Sequence, residues 1–161
     1  MQPTITSLQN QRVKDAAKLR DARARRKQGR IVVDGAREIS RALTADLMWS
    51  EAFVCEELLR DGDDALLAGL AQGGAEILPV TRGVFAKLAF GDRAEGIVAA
   101  AHAPSRTLVA LKLPPAPLVA VLEGIEKPGN VGAILRTADA AGVSAVILSD
   151  AAAELFNPNT I

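Results

Sequence analysis

The segment EGIEKPGNVGAILRTADAAG, residues 123–142, contains the side chains best suited to chemistry. Asn130 stands where a helix is predicted to begin, and Asn is a favoured N-cap because its side chain accepts a first-turn N–H. Arg136 lies on that helix, away from its apolar face. Its guanidinium has a pKa above about 12, so it can stabilise negative charge but cannot serve as an ordinary general base. The residues alone also allow a structural role, with Arg136 exposed and paired with Asp139.

Small residues accompany these two side chains. Gly129 permits a turn, and Gly132 and Ala133 keep the first helical turn thin, so a ligand or another backbone could approach closely. A helix over residues 131–141 would have one apolar face, because its apolar residues recur at about 100° per residue. That face contains Val131, Ile134, Leu135, Ala138 and Ala141. A phosphate loop is excluded, since the segment has neither G-x-x-x-x-G-K-[ST] nor a G-x-G-x-x-G that follows a strand.

Several other chemistries lack the side chains they need. Cys55 is the only cysteine, which excludes an intrachain disulfide and a Cys-based metal cluster. His102 is the only histidine, which leaves zinc sites and His-based triads almost nothing to work with. We therefore expect no metal. No nucleophile elbow and no paired carboxylates at a motif support a small-molecule α/β enzyme. No apolar stretch is long enough to cross a bilayer, which predicts a soluble, cytoplasmic protein without a membrane partner.

Basic residues concentrate near the N-terminus, although the formal net charge is zero. This basic block comprises Arg12, Lys14, Lys18, Arg20, Arg23, Arg25, Arg26, Lys27 and Arg30. Such a block is typical of a surface that binds a polyanion. A solvated helix that only keeps the protein soluble is an equally good interpretation of the block alone. If the block binds RNA, the residues predicted to contact it are Arg12, Lys18, Arg23, Arg25, Arg26 and Arg30.

Predicted helices and strands alternate up to residue 103. The segment from about Asn10 to Gln28 has no Gly or Pro and predicts one helix, which Gly29 would end. Strands are predicted at Ile31–Asp34, Ala52–Cys55, Glu76–Pro79 and Ile97–Ala101. Further helices are predicted in AREISRALTA, DDALLAGLAQGG and TRGVFAKLAFG. This alternation predicts a parallel or mixed sheet covered on both faces, in one three-layer α/β/α domain over residues 1–103.

A proline-rich segment, PSRTLVALKLPPAP, occupies residues 104–117. Because proline restricts φ and lacks a backbone donor, this segment predicts a linker between domains. Residues 118–161 then predict one βαβ unit, with strands in LVAVLEG and SAVILS. Two strands and one helix bury too little surface to fold independently. We therefore expect further protein to cover this unit.

The segment LEGIEKPGNVGAILRTADAAGVSAVIL, residues 122–148, closely resembles the first signature motif of the SpoU (TrmH-type) RNA ribose 2′-O-methyltransferases of the SPOUT, or α/β-knot, superfamily. The resemblance has no gap and includes the Asn-x-Gly-Ala spacing, the Arg six positions after the Asn, and the TADAAG that follows. The segments SLQNQRVKDAAKLRDARARRKQGRIVVDGAREISRAL and GDRAEGIVAAA resemble the ribosomal-protein-like substrate-binding domain that precedes the knot in many members. The implied fold is an RNA-binding α/β/α domain followed by the first βαβ portion of an α/β-knot methyltransferase domain.

The resemblance also implies an active site. Asn130 and Arg136 match the family's active-site asparagine and arginine. Arg136 would lie beside the target ribose and phosphate, where it would orient the 2′-oxygen and stabilise the developing alkoxide. Asn130 would hold the arginine and the loop in register. Glu126, Gly129 and Gly132 are further candidates in the same loop.

Cofactor and partners follow from the resemblance as well. It implies S-adenosylmethionine as methyl donor, a homodimer in full-length members, and RNA as substrate. Ribosomal RNA is favoured over transfer RNA because the accessory domain is commoner in members that act on ribosomal RNA. Members continue with two further motifs that supply the cofactor pocket, the knot and most of the dimer interface. We therefore expect the chain to Ile161 to bind no cofactor and to be inactive alone. The alternative is a non-enzymatic RNA-binding protein that uses the N-terminal domain.

Overall fold

The computed structural model describes residues 2–45, 47–89, 95–150 and 152–161. Contacts within the chain divide it into a first unit, residues 1–103, and a second unit, residues 104–161. Residues 90–94, which include the end of the helix predicted in TRGVFAKLAFG and the start of GDRAEGIVAAA, lie outside the described residues. In the described part of the chain, no helix combines the length and the apolar character needed to cross a membrane.

The first unit alternates helices and strands as predicted. Its helices are α1 (Gln11–Lys18), α2 (Ala22–Gln28), α3 (Ala36–Leu43), α4 (Asp63–Gln72) and α5 (Arg82–Leu88). Its strands are β1 (Arg30–Asp34), β2 (Trp49–Val54), β3 (Glu76–Pro79) and β4 (Ile97–His102). These strands overlap all four predicted strands.

The strands of the first unit form one mixed sheet in the order β1-β4-β2-β3. β4 pairs antiparallel with both β1 and β2, and β2 pairs parallel with β3. A bulge interrupts the β2–β4 register between Trp49 and Glu51. The prediction of a parallel or mixed sheet is therefore confirmed in its mixed form.

Helices cover both faces of this sheet. α1 packs against α5, and their apolar side chains form one buried cluster with alternate strand residues. The cluster includes Val13, Ala16, Val84, Phe85, Val32, Phe53 and Val98. The intervening residues, which include Ile31, Val33, Ala52 and Ala99, are buried too. Because neighbouring strand residues point to opposite faces, these residues face the second layer, where α3 packs on α4. The predicted α/β class with three layers is confirmed.

The single helix predicted over residues 10–28 is wrong, because the chain turns between α1 and α2. The Asp21 side chain caps α2 by accepting from the Ala24 N–H at 3.0 Å, and Leu19 is fully buried at the turn. Arg25 Nη1 donates to the carbonyl oxygens of Leu19 and Arg20, each at 2.9 Å. Burial of Leu19 and these side-chain hydrogen bonds outweigh the helix propensity of the segment. Gly29 ends α2 as predicted, with a φ of 61°.

The second unit contains β5 (Val119–Glu123), α6 (Pro128–Ala140) and β6 (Ala145–Ser149), after a short 3-10 turn at Leu108–Ala110. β5 pairs parallel with β6, with Val119 opposite Ala145 and Glu123 opposite Ser149. This is the predicted βαβ arrangement. Of the predicted apolar face of α6, Val131 and Ala138 are buried, Ile134 and Leu135 are half-buried, and Ala141 is exposed just after the helix.

The predicted start of α6 is wrong. The helix begins at Pro128, its N-cap position is Lys127, and no side chain caps it. Proline suits the first helical position because its φ is already helical and its missing N–H would have no partner there. Asn130 is consequently the third residue of the helix and does not serve as its N-cap. Gly129 lies inside the helix, and the turn after β5 is made by Gly124, whose φ is 63°.

Candidate functional site

The parallel strands of the second unit place the predicted site residues at one edge. β5 ends at Glu123 and β6 at Ser149, which are paired, so the segments that follow the two strands leave from the same edge. In α/β sheets, ligands bind outside the carboxyl ends of the strands. The loop before α6 and the first turns of α6 lie at this edge. We call the group Glu126, Gly129, Asn130, Gly132 and Arg136 the α6 site.

Backbone hydrogen bonds hold the loop and the C-terminal segment together. The Gly124 N–H donates to Ser149 O at 3.1 Å, and the Ala153 N–H donates to Ile125 O at 3.2 Å. The Thr160 hydroxyl lies 3.3 Å from the carbonyl oxygens of Pro128 and Glu154, to which it donates. Residues 152–161 are thereby held beside the first turn of α6.

Gly132 allows this close approach. A Cβ atom at Gly132 would lie 2.5 Å from Thr160 O and 3.3 Å from Arg136 Nη1, and the first distance is too short for any side chain. The backbone that the thin turn admits is therefore that of Thr160. Gly129 differs, since no atom lies within 4 Å of the position its Cβ would take. Neither packing nor φ requires glycine at Gly129 in this chain.

Arg136 is exposed and extends back along the helix, because its Nη1 lies near Gly132 in the preceding turn. Asn130 is exposed as well. Six helical positions separate the two residues by about 9 Å along the axis and about 120° around it. Among the described residues, no hydrogen bond joins Asn130 to Arg136 and no ion pair joins Arg136 to Asp139. The structural role in which Asp139 neutralises Arg136 is therefore not what this structure shows.

A cavity of about 740 Å³ opens in the second unit. It is lined mainly by apolar residues of α6, β6 and residues 106–112, with Leu135, Ile147 and Phe156 among them. No residue of the α6 site lines it. A site for S-adenosylmethionine needs an enclosing cavity with convergent polar groups. For methyl transfer at the α6 site, that cavity would also have to open beside Arg136, and this one does not. This cavity therefore does not place a ligand beside Arg136.

Metal and thiol chemistry find no support in the described part of the chain. No group of three or more His, Cys, Asp or Glu residues there could hold a metal ion. Cys55 is buried in the core of the first unit. Burial raises the pKa of its thiol, so the thiol stays protonated and is a poor nucleophile.

Two arginines of the basic block neutralise a buried acid. Glu51 on β2 is only 4% exposed. Arg12 Nε lies 3.0 Å from one of its carboxylate oxygens, and Arg30 Nη1 lies 2.7 Å from the other. Because a buried carboxylate is stable only when it is paired and hydrogen-bonded, these two arginines have a structural role.

Arg12 also joins the edge strand of the sheet. Its Nη2 lies 2.5 Å from a Glu76 carboxylate oxygen. That hydrogen bond, followed by one from Gln2, lowers the pKa of Glu76 to about 2. Glu76 keeps 43% side-chain exposure, so solvent screens the pair and its contribution to stability is small. The network nevertheless commits the Arg12 guanidinium to two carboxylates.

Two more arginines of the block bind backbone carbonyls. Arg25 is 4% exposed and donates across the α1–α2 turn. Arg20 Nη2 donates to Leu88 O at 2.9 Å and also to Ala89 O, at the end of α5. Of the residues predicted to contact RNA, Lys18, Arg23 and Arg26 remain exposed. Lys18 lies 3.7 Å from an Asp15 carboxylate oxygen.

Sequence reasoning missed the partners of these groups. Glu51 gave a readable signal, because a lone acid in the apolar strand WSEAFV indicates a buried ion pair. Thr160 gave none, since its contacts depend on how residues 152–161 fold back. Lys27, which is exposed on α2, belongs to the basic block but is not among the RNA contacts predicted from the sequence.

Two family models match the chain. One is described as the MRM3-like substrate binding domain and matches residues 10–99. The other is described as the SpoU rRNA Methylase family and matches residues 117–161. The chain belongs to the SpoU rRNA methylase family. The family suggested by residues 122–148 is therefore confirmed.

Individual SpoU relatives agree with this assignment. The chain is 30% identical over 157 residues to the Bacillus subtilis (strain 168) 23S rRNA (guanosine(2553)-2′-O)-methyltransferase RlmP, a match that covers 98% of this chain and 58% of RlmP. A crystal structure of an RNA 2′-O ribose methyltransferase is 40% identical, with a TM-score of 0.82, over 99% of this chain and 60% of that one. The AdoMet-bound rRNA methyltransferase from Sinorhizobium meliloti, at 24% identity, shares the fold with a TM-score of 0.83, over 98% of this chain and 58% of that one. The chain thus spans less than two thirds of these relatives.

Proposed function

We propose that the chain is the RNA-binding unit and part of the active site of an RNA ribose 2′-O-methyltransferase that acts on ribosomal RNA with S-adenosylmethionine. Membership of the SpoU family supports this proposal, as do relatives named as 23S rRNA 2′-O-methyltransferases. The match of residues 10–99 to a substrate binding domain supports RNA as the ligand of the first unit. The cofactor pocket and the homodimer belong to the proposed full-length protein.

Arg136 carries the proposal for the α6 site. Its guanidinium is exposed, lies near Gly132 in the preceding turn of α6, and has no ion-pair partner among the described residues. It can donate hydrogen bonds to a ribose or phosphate oxygen in a planar, two-pronged geometry. Negative charge that develops on the 2′-oxygen would be stabilised there by the guanidinium. S-adenosylmethionine, when bound, supplies the methyl group.

Asn130 and Glu126 have supporting roles in this proposal. Both side chains are exposed at the start of α6. Asn130 offers one acceptor and two donors, and its distance around the helix from Arg136 favours a direct contact with the substrate over a contact with the arginine. Glu126 offers only acceptors when ionised, which suits a ribose hydroxyl and disfavours a phosphate.

The proposal is tested by Arg136→Ala in a full-length protein that contains this chain. We expect the rate of methyl transfer to fall about a hundredfold or more, because loss of one preorganised donor costs on the order of 3–4 kcal/mol in the transition state. Asp139→Ala is the matched control, since Asp139 is also exposed on α6 and has no role in the proposal. Incorporation of a labelled methyl group into ribosomal RNA measures both variants. Full activity of Arg136→Ala would remove Arg136 from the active site.

A non-enzymatic RNA-binding protein is the second candidate. The observation in its favour is that the cavity of the second unit is lined by no residue of the α6 site. Under this alternative, a full-length form would bind RNA but transfer no methyl group. The same methyl-transfer assay on the unmodified protein separates the two candidates.

A further inference from the structure

The basic block divides into structural and surface residues. Arg12 and Arg30 pair with Glu51, and Arg20 and Arg25 donate to backbone carbonyls. The exposed cations of α2 are a different group, which we call the α2 patch. The α2 patch consists of Arg23, Arg26 and Lys27.

The α2 patch occupies one side of its helix. At about 100° per residue, Arg23, Arg26 and Lys27 fall within a sector of about 100°. Arg25 lies on the opposite side, where it is buried. Its hydrogen bonds to Leu19 O and Arg20 O anchor that side of α2 to the end of α1. Gln28 adds a second anchor, because its side chain donates to Asp15 O at 3.0 Å. The patch is therefore carried on a helix that is attached at its back.

Helix stability does not explain this arrangement of charge. Arg23 and Lys27 are four positions apart, a spacing at which like charges destabilise a helix. Arg23 also lies in the first turn, where the helix dipole disfavours a cation. The first turn of α2 contains no acidic residue. Among the described residues, neither Arg23 nor Lys27 has an ion-pair partner. A solvated helix selected only for solubility would not need to concentrate three cations on one side.

We propose that the α2 patch binds the phosphate backbone of RNA, an inference that rests on the proposed RNA-binding function of the first unit. Exposed Arg and Lys side chains on one helix face bind successive phosphates and release the counterions condensed on them. Such contacts position an RNA and carry no sequence information. The sequence also suggested Arg12, Arg25 and Arg30 as RNA contacts. Arg12 and Arg30 are instead paired with Glu51, and Arg25 anchors α2 through backbone carbonyls.

The test compares two double variants of the 161-residue chain. Arg23→Gln with Lys27→Gln removes two charges from the α2 patch. Arg82→Gln with Lys87→Gln is the matched control, because it removes one Arg and one Lys that are exposed on α5, another seven-residue helix of the same unit. Fluorescence anisotropy with a labelled RNA stem-loop measures affinity from about 50 to about 200 mM salt. Circular dichroism confirms that both variants are folded.

We expect the α2 variant to make the negative slope of log K against log salt shallower by about 1.4–1.8, and to weaken binding about tenfold or more near 0.1 M salt. The control should leave the slope unchanged. Equal losses in both variants would show a net-charge effect and overturn the proposal, as would an unchanged α2 variant. A parallel assay measures binding of the α2 variant to phosphatidylserine vesicles. If that variant lost vesicle binding but kept its RNA affinity, the α2 patch would bind membranes and the proposal would be wrong. Because the assay contains no cofactor, its result is independent of whether the full-length protein transfers methyl groups.

Discussion

Gly129 and Gly132 show how the surroundings of a residue decide its role. Both lie in the first turns of α6, and neither has a positive φ. Only Gly132 is buried, with Thr160 O 2.5 Å from the position a Cβ would take. A Cβ atom added at Gly132 would also lie only 3.3 Å from Arg136 Nη1. The absence of a side chain at Gly132 therefore leaves room both for the backbone of Thr160 and for the Arg136 side chain.

This difference predicts opposite effects of the same substitution. Gly132→Ala should destabilise α6 by about 1–3 kcal/mol, because a backbone oxygen must move to admit the methyl group. Gly129→Ala should stabilise the helix by up to about 1 kcal/mol, since its Cβ would meet no atom within 4 Å and alanine is the better helix former. Hydrogen exchange of the α6 amides measures the free energy of local opening in each variant. Equal protection in the two variants would mean that Thr160 does not pack on Gly132 in solution.

The residue types of the α6 site could be predicted from the sequence, but their contacts could not. Arg136 was placed away from the apolar face because helical periodicity alone determines that. Asn is common at N-caps, so the sequence predicts Asn130 there, whereas Pro128 begins the helix. The division of the basic block depended on Glu51 and on carbonyls of Leu19 and Leu88. Those partners are distant in the chain or are backbone atoms, so composition could not reveal them.

At the scale of elements, the ion pairs of Glu51 connect α1 with the sheet. Arg12 is the second residue of α1, Arg30 is the first residue of β1, and Glu51 lies on β2 beside the bulge. Arg12 also reaches Glu76, the first residue of β3. One buried carboxylate thus joins three elements, and a fourth is attached through Arg12. The outer helices were predictable from their periodicity, but this connection was not.

Glu51→Gln tests the connection. We expect it to lower the free energy of unfolding by about 1.5–3 kcal/mol, because the hydrogen bonds to a charged acceptor are lost and two guanidinium groups are left close together. Glu57→Gln is the control, since Glu57 is exposed on the short 3-10 turn after β2, and it should change stability by less than about 0.5 kcal/mol. Urea denaturation monitored by circular dichroism measures both. If Glu51→Gln left the free energy of unfolding unchanged, the three elements would be held by apolar packing alone.

At the scale of the whole molecule, the two units differ in how completely their sheets are covered. Helices lie on both faces of the mixed sheet in the first unit. β5 and β6 form a parallel pair, and parallel sheets are normally buried on both faces. Val121 on β5 is nevertheless 63% exposed, and Leu118 just before it is 57% exposed. That further protein covers the βαβ unit stays a prediction. In the proposed full-length protein, that surface would be packed.

The second unit leads to a prediction about the cofactor. We expect S-adenosylmethionine to leave the unfolding temperature of the 161-residue chain unchanged, because the proposed function assigns the cofactor pocket to the full-length protein and not to this chain. A ligand that binds only the folded state at a hundred times its Kd stabilises that state by about 2.7 kcal/mol, which a thermal scan detects readily. The Sinorhizobium meliloti rRNA methyltransferase, whose crystal structure holds AdoMet, serves as the positive control. A saturable rise in the unfolding temperature would show that this chain already binds the cofactor. In that case the proposal that its pocket belongs to a longer protein would be wrong.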